Sequence, residues 1–172
     1  MTTRRIKCPA AMSMGGLVML ALLAGCSPSG AVSTVTPAPG TPDATAPDEV
    51  PGAELSVAGG GTVPGKLGSY VYDQRGSDAP WFPASALEPV AAPVGAALEV
   101  NLSGGLGIAG GRARVAAAAD TEGSQPRGLE ATTDGRRLSL VGPSAGSWVL
   151  SVEIDYPDGL GSGAYFWRLE VR

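Results

Sequence analysis

Two stretches near the C-terminus alternate between apolar and polar residues with a period of two. In SWVLSVEIDY (147–156), the apolar face carries five residues: Trp148, Leu150, Val152, Ile154 and Tyr156. In AYFWRLEVR (164–172), it carries four: Tyr165, Trp167, Leu169 and Val171. Successive side chains of a strand point to opposite faces of its sheet. Both stretches therefore predict half-buried antiparallel strands.

Further strands are predicted upstream of these two. ALEVNL (97–102) repeats the alternation, with Leu98, Val100 and Leu102 on one face. RVAAAAD (114–120) is interpreted as the end of a strand followed by a loop, because it is short and has no N-cap residue. The weaker strand candidates are 54–58, 67–72, 112–118, 128–133 and 136–141.

Turn residues separate these segments. The chain contains 26 Gly and 15 Pro, which favours many turns over long helices. Asp134-Gly135 indicates a hairpin between two weaker strands. The connection 157–163, PDGLGSG, is too long and glycine-rich for a tight turn. Seven or eight short strands without a long helix predict an all-β, antiparallel sandwich.

The N-terminus has the organisation of a signal peptide. Arg4, Arg5 and Lys7 precede an apolar run from 17 to 23, which is too short to span a membrane. The run ends at Leu23-Ala24-Gly25-Cys26, with small residues where a signal peptidase would cut. We therefore predict a signal peptide over 1–25. An alternative is an ordinary secretory signal in which Cys26 is incidental.

The tetrapeptide Leu23-Ala24-Gly25-Cys26 resembles the lipobox of bacterial lipoproteins. This resemblance implies that the Cys26 thiol receives a diacylglycerol and that the chain is cut just before it. The mature protein would be anchored in the cell membrane by its lipid, with its body on the extracytoplasmic side. Removing three basic residues and no acidic ones would move the formal net charge from −4 to −7. A body this acidic is not expected to bind nucleic acid.

The rest of the chain divides into two parts. Residues 26–52 are rich in Pro, Thr and Ala and show no hydrophobic periodicity, which predicts a disordered tether biased toward extended structure. An O-glycosylated stalk is an alternative for the same composition. Residues 53–172 form the predicted β-sandwich domain, long enough to bury a sizeable core.

Two segments of this domain resemble parts of bacterial extracytoplasmic domains. GSWVLSVEIDYPDGLGSGAYFWRLEV resembles the last two strands of bacterial immunoglobulin-like domains, which implies an immunoglobulin-like sandwich. GKLGSYVYDQRGSDAPW (65–81) is similar to the opening of small extracytoplasmic domains of bacterial lipoproteins. In those domains Gly-Ser-Tyr is commonly followed by Cys and Trp, with a second Cys downstream. Here Val71 and Tyr72 occupy these positions and no second cysteine follows, so the implied disulfide is missing.

The residues available for catalysis are few. The chain has no His, which removes the commonest general base and metal ligand. Lys66 and Ser69 stand close in sequence, but not in the Ser-x-x-Lys order of penicillin-binding enzymes. Loop carboxylates could serve glycoside hydrolysis, and Asp155 and Asp158 could ligate calcium, although turn formation also explains them. These carboxylates are Asp73, Asp78, Asp155 and Asp158. We predict that the protein is not an enzyme and needs no cofactor or metal.

DAPWFPASALEP (78–89) is the segment that most suggests a binding site. Trp81 and Phe82 lie between prolines in a stretch without periodicity, where aromatic residues are not required by a core. The alternative is that Trp81 closes one end of the sandwich. The predicted function is a binding or interaction module anchored in the cell envelope, with a protein or glycan as partner. A structural lipoprotein without a ligand is the alternative, and a hydrolase is the least favoured.

Overall fold

The computed structural model describes residues 49–172. The predicted signal peptide, Cys26 and the tether as far as residue 48 lie outside the described residues. No helix within the described part is long and apolar enough to cross a membrane. The described residues also include three short 3₁₀ turns, at Ala84–Ala86, Ser103–Gly105 and Pro157–Gly159. The strands are β1 (Ala53–Val57), β2 (Thr62–Pro64), β3 (Lys66–Tyr72), β4 (Arg75–Ser77), β5 (Pro89–Ala92), β6 (Ala97–Leu102), β7 (Gly110–Ala117), β8 (Arg127–Leu129), β9 (Ala131–Thr133), β10 (Arg137–Val141), β11 (Gly146–Asp155) and β12 (Gly161–Val171).

These strands form two sheets packed face to face. The five-stranded sheet has the order β2-β1-β6-β10-β9, and the seven-stranded sheet has the order β4-β3-β12-β11-β7-β8 with β5 added beside β12. The series β1-β6-β10-β9 and β7-β11-β12 reproduce the A-B-E-D and C-F-G orders of immunoglobulin domains. The predicted all-β, immunoglobulin-like sandwich is thus confirmed.

The described residues form twelve strands where seven or eight were predicted, and short strands account for the difference. Eight strands contain four or more residues, and four contain only three. The predicted strand 128–133 is divided, because β8 pairs with β7 in one sheet and β9 pairs with β10 in the other. The chain changes sheets at Glu130, so one side of the sandwich is closed by a single crossing segment.

The turn predictions have mixed outcomes. The hairpin at Asp134-Gly135 is confirmed: the Asp134 carboxylate accepts hydrogen bonds from the N–H groups of Arg136 and Arg137, each at 2.9 Å. The strand that ends at Ala117 and then leads into a loop is also as predicted. The connection after β11 is shorter than predicted, because β12 already begins at Gly161.

The main core lies between the two sheets and is built by the predicted faces. β11 and β12 pair over their whole length, with Leu150 opposite Trp167. Leu150, Val152, Ile154, Tyr165, Trp167 and Leu169 are all buried, as are Leu98, Val100 and Leu102 of β6. Trp148 is the exception to the prediction, since it is only half-buried at the beginning of β11. Its side chain packs against the edge of the core.

Trp167 lies tightly against the neighbouring backbone. A Cβ atom at Gly65 would come within 2.4 Å of the indole ring, so only glycine permits this approach. The indole N–H also donates to the carbonyl of Val63 at 3.1 Å. The segment between β2 and β3 is therefore fixed to the core by one side chain of β12.

A buried group of tyrosines holds the beginning of the folded domain. The Tyr165 hydroxyl donates to the carbonyl of Pro51 and lies 2.7 Å from the Tyr156 hydroxyl. The ring of Tyr72 meets that of Tyr156 edge-on, with centroids 5.3 Å apart. Pro51 is buried and Val50 contacts the core. Packing in the described part thus begins slightly before the first strand.

This tyrosine group predicts a loss of stability at alkaline pH. Burial raises the pKa of Tyr165, and also that of Tyr156, above the ordinary value of 10.0. The unfolded chain ionises near pH 10 while the folded chain keeps the protons, so this contribution is complete below pH 10 and falls above it. Tyr165→Phe should cost about 1–3 kcal/mol at neutral pH by leaving the Pro51 carbonyl without its donor.

The measurement is urea unfolding of both proteins at neutral pH and at about pH 11. The variant should lose less stability between the two pH values than the wild type, because one raised pKa has been removed. Equal losses in the two proteins would contradict the role given to Tyr165.

Candidate functional site

The segment 78–88 between β4 and β5, here named the aromatic loop, crosses the outer face of the seven-stranded sheet. It covers a second hydrophobic cluster that is separate from the main core. Val149 and Phe166 contribute to this cluster from β11 and β12, and both are buried. The loop contributes Trp81, Phe82, Ala84 and Leu87. One part of the outer sheet face is therefore apolar and covered.

The two predicted binding residues meet on Phe166. The Trp81 and Phe82 rings each lie with their centroid 5.2 Å from that of Phe166, at interplanar angles of 86° and 87°. Both side chains are half-buried. Trp81 lies on the outside of the sheet and does not close an end of the sandwich. The structure thus brings Trp81 and Phe82 together on one surface while leaving part of each accessible.

The cluster under the aromatic loop was missed by alternation alone. Val149 and Phe166 occupy the positions of their strands that the pattern assigns to solvent. Each is an apolar residue among polar neighbours on that face, such as Ser151 and Arg168. The sequence did contain a signal for this cluster. It has two apolar residues at outward positions of adjacent strands, and an aromatic segment elsewhere in the chain that could cover them.

Lys66 and Ser69 hold the aromatic loop in place. The Lys66 ammonium lies 4.4 Å from the Phe82 ring centroid, a cation–π contact, and 3.5 Å from the Ala86 carbonyl. The Ser69 hydroxyl donates to the carbonyl of Ala79 and accepts from its N–H, both at 3.0 Å. These contacts give both residues a role in loop attachment.

A groove of about 380 Å³ opens beside Lys66. We name it the lysine groove. The buried rings of Phe166 and Trp167 form its floor, while Lys66 and Glu88 bring charges of opposite sign. Its complete lining is Val63, Pro64, Gly65, Lys66, Ala86, Leu87, Glu88, Phe166 and Trp167. The arrangement combines an apolar surface with one positive and one negative group at exposed positions.

The four loop carboxylates do not form one cluster, although the turns of Asp73 and Asp158 meet where the Asp73 N–H donates to the Leu160 carbonyl at 3.0 Å. Asp73 and Asp158 lie in turns with positive φ angles of 45° and 56°, which explains their presence structurally. Asp155 ends β11, and Asp78 lines a shallow pocket of about 250 Å³ with Glu153. Within residues 49–172, no group of three or more His, Cys, Asp or Glu side chains could hold a metal ion.

The chain was compared with protein-family models, curated proteins and solved structures. None of these comparisons found a match.

Proposed function

We propose that this protein is a lipid-anchored binding module of the cell envelope. The sequence supports the anchor through the order of basic residues, apolar run and lipobox up to Cys26. The module would be the β-sandwich, held on the extracytoplasmic side of the membrane by acyl chains on Cys26. Catalysis is not part of the proposal, because the chain has no His, and Lys66 and Ser69 already attach the aromatic loop.

The observation that supports binding is the lysine groove beside Phe82. A groove of about 380 Å³ that is lined by apolar residues and a few polar groups is typical of ligand-binding sites. Lys66 and Glu88 would each attract a group of opposite charge, while the exposed Pro64 and Ala86 would contact apolar side chains. An extended segment of an envelope protein, carrying apolar residues flanked by charges, fits this chemistry. Half-buried aromatic residues of the kind found here are frequent anchors in protein interfaces.

Site-specific photo-crosslinking tests this proposal in intact cells. A photoreactive phenylalanine analogue at position 88, inside the groove, should give a discrete crosslinked product with a membrane or envelope protein. The same analogue at position 136, in the exposed turn between β9 and β10, is the matched control and should give none. Phe82→Ala combined with the analogue at position 88 should strongly reduce the product.

Two outcomes would count against binding at this groove. Equal products from positions 88 and 136 would show nonspecific proximity. Absence of any product at position 88, in a variant that is anchored and folded normally, would favour the structural lipoprotein without a ligand.

A further inference from the structure

Trp148 does not belong to the hydrophobic cluster under the aromatic loop, and its side chain is held in a fixed orientation. Its indole N–H donates to the carbonyl of Ser144 at 2.8 Å. The Arg127 guanidinium lies over the Trp148 ring, 4.4 Å from the ring centroid, in a cation–π contact. Since the N–H is already bonded, the accessible part of this half-buried side chain offers aromatic surface rather than a free donor. The Trp148 ring and the Arg127 guanidinium, with its several N–H donors, together form the first wall of a candidate binding site.

The loop between β7 and β8 provides the second element, a polar wall. Asp120 organises this loop: its carboxylate accepts from the N–H and hydroxyl of Ser124 at 3.1 and 3.2 Å, and from the N–H of Gln125 at 3.1 Å. The two backbone bonds, from Gln125 and then Ser124, are the main reason that the pKa of Asp120 lies below its ordinary value. The loop therefore stands opposite Trp148 in a defined conformation at neutral pH.

Between these two walls lies a pocket of about 340 Å³, here named the Trp148 pocket. Val115 and Ala117 of β7 line it together with Trp148, and the polar lining includes Gln125, Arg127 and Asp120. Arg127 and Asp120 carry opposite charges, so the pair gives no net attraction for an anion or a cation. The volume lies within the range of about 300–1,000 Å³ that small-molecule sites occupy.

We propose that the Trp148 pocket binds a neutral saccharide. A sugar ring has an apolar C–H face and a rim of hydroxyl groups that both donate and accept hydrogen bonds. The part of Trp148 that Arg127 leaves uncovered, together with Ala117, matches the apolar face, while Arg127, Gln125 and Ser124 match the rim. The balanced charges favour an uncharged sugar over a uronic acid or an amino sugar with a free ammonium group.

Trp81 has a positioning role in this proposal. Gly123 of the same loop lies against the Trp81 indole, so that a Cβ atom there would come within 2.2 Å of the ring, and its φ of 60° also favours glycine. Trp81 thus contacts the loop between β7 and β8 from the outer side of the sheet, and it does not line the pocket. This role is independent of the lysine groove and its partner.

The test is saturation-transfer NMR on the full chain in a zwitterionic detergent that contains no sugar headgroup. The probes are maltose, cellobiose and methyl mannoside, with glucuronic acid as the charged comparison. At least one neutral probe should bind with a millimolar dissociation constant. Arg127→Ala and Gln125→Ala, both at exposed positions, should weaken that binding about tenfold, which corresponds to about 1.4 kcal/mol.

Four further variants separate this site from the rest of the molecule. Arg136→Ala and Phe82→Ala should bind the sugar as the wild type does, even if Phe82→Ala abolishes crosslinking at the lysine groove. Trp81→Ala should weaken sugar binding, and Trp81→Phe should restore much of it by keeping a ring against Gly123. The proposal is overturned if no neutral probe binds at about 10 mM, if glucuronic acid binds more tightly, or if the two pocket variants bind normally.

Discussion

Trp167→Ala should largely unfold the domain at moderate temperature. Trp167 is only 2% exposed and lies on β12, the strand that pairs with β11, β3 and β5. Truncating a buried Trp typically costs about 3–5 kcal/mol, out of the roughly 5–15 kcal/mol that keeps a domain folded. The substitution also removes the donor to the Val63 carbonyl. Thermal denaturation followed by circular dichroism should show a fall in melting temperature of roughly 10–25 °C.

Trp81→Ala is the matched comparison for this measurement. Trp81 is half-buried on the outer face, and its removal leaves the main core intact. The substitution still removes the contact with Phe166. The free energy of unfolding should therefore fall by about 1–2 kcal/mol, more than for an exposed residue. Losses of equal size for Trp81 and Trp167 would mean that the outer cluster is as important to stability as the core between the sheets.

Cys26→Ala should release the protein from the membrane. Without the thiol there is no site for the diacylglycerol, and each buried CH₂ of an acyl chain contributes roughly 0.8 kcal/mol to membrane binding. The mature chain, with a formal net charge of −7 after loss of three basic residues, would gain nothing from anionic lipids. The prediction is an unprocessed precursor or a soluble product, identified by membrane fractionation and by the mass of the N-terminal peptide.

Cys8→Ala is the control for the anchor. Cys8 lies in the basic n-region of the predicted signal peptide, and its substitution should change neither the fractionation nor the mass of the mature protein. A Cys26→Ala protein that is cut normally and still fractionates with membranes would contradict lipid attachment at Cys26. In that case the ordinary secretory signal would be the better interpretation.

Alternation predicted the sandwich because most strands here bury one face only. ALEVNL was predicted as a strand with the bounds that the structure gives for β6, and the buried faces of β11 and β12 are largely as predicted. Alternation is an incomplete guide where both faces of a strand are covered or where a strand reaches the edge of the core. Phe166 is buried on the outer face by a distant loop, and Trp148 is only half-buried at the beginning of β11, where it packs against the edge of the core.

The candidate sites depend on contacts that alternation does not encode. Trp81 and Phe82 could be singled out from their proline-rich context, but their shared neighbour Phe166 lies more than eighty residues away. The Trp148 pocket joins β11 to the loop after β7, and its polar wall depends on how one carboxylate, Asp120, folds that loop. Such arrangements depend on which segments of the chain lie next to one another. The periodicity of a single sequence does not determine this.

The bond from Tyr165 to the carbonyl of Pro51 has a consequence for how the domain carries force. A pull through the residues before Pro51 reaches β1 at Ala53, opposite Leu102, whereas Trp148 and Gly146 lie at the other end of the sandwich. Tension between an anchor and a ligand held at Trp148 would therefore run along the strands. The hydrogen bonds of β1 to β6 lie across this direction and would share the load in shear. Tyr165 would pass part of the same load directly to β12, the longest of the described strands.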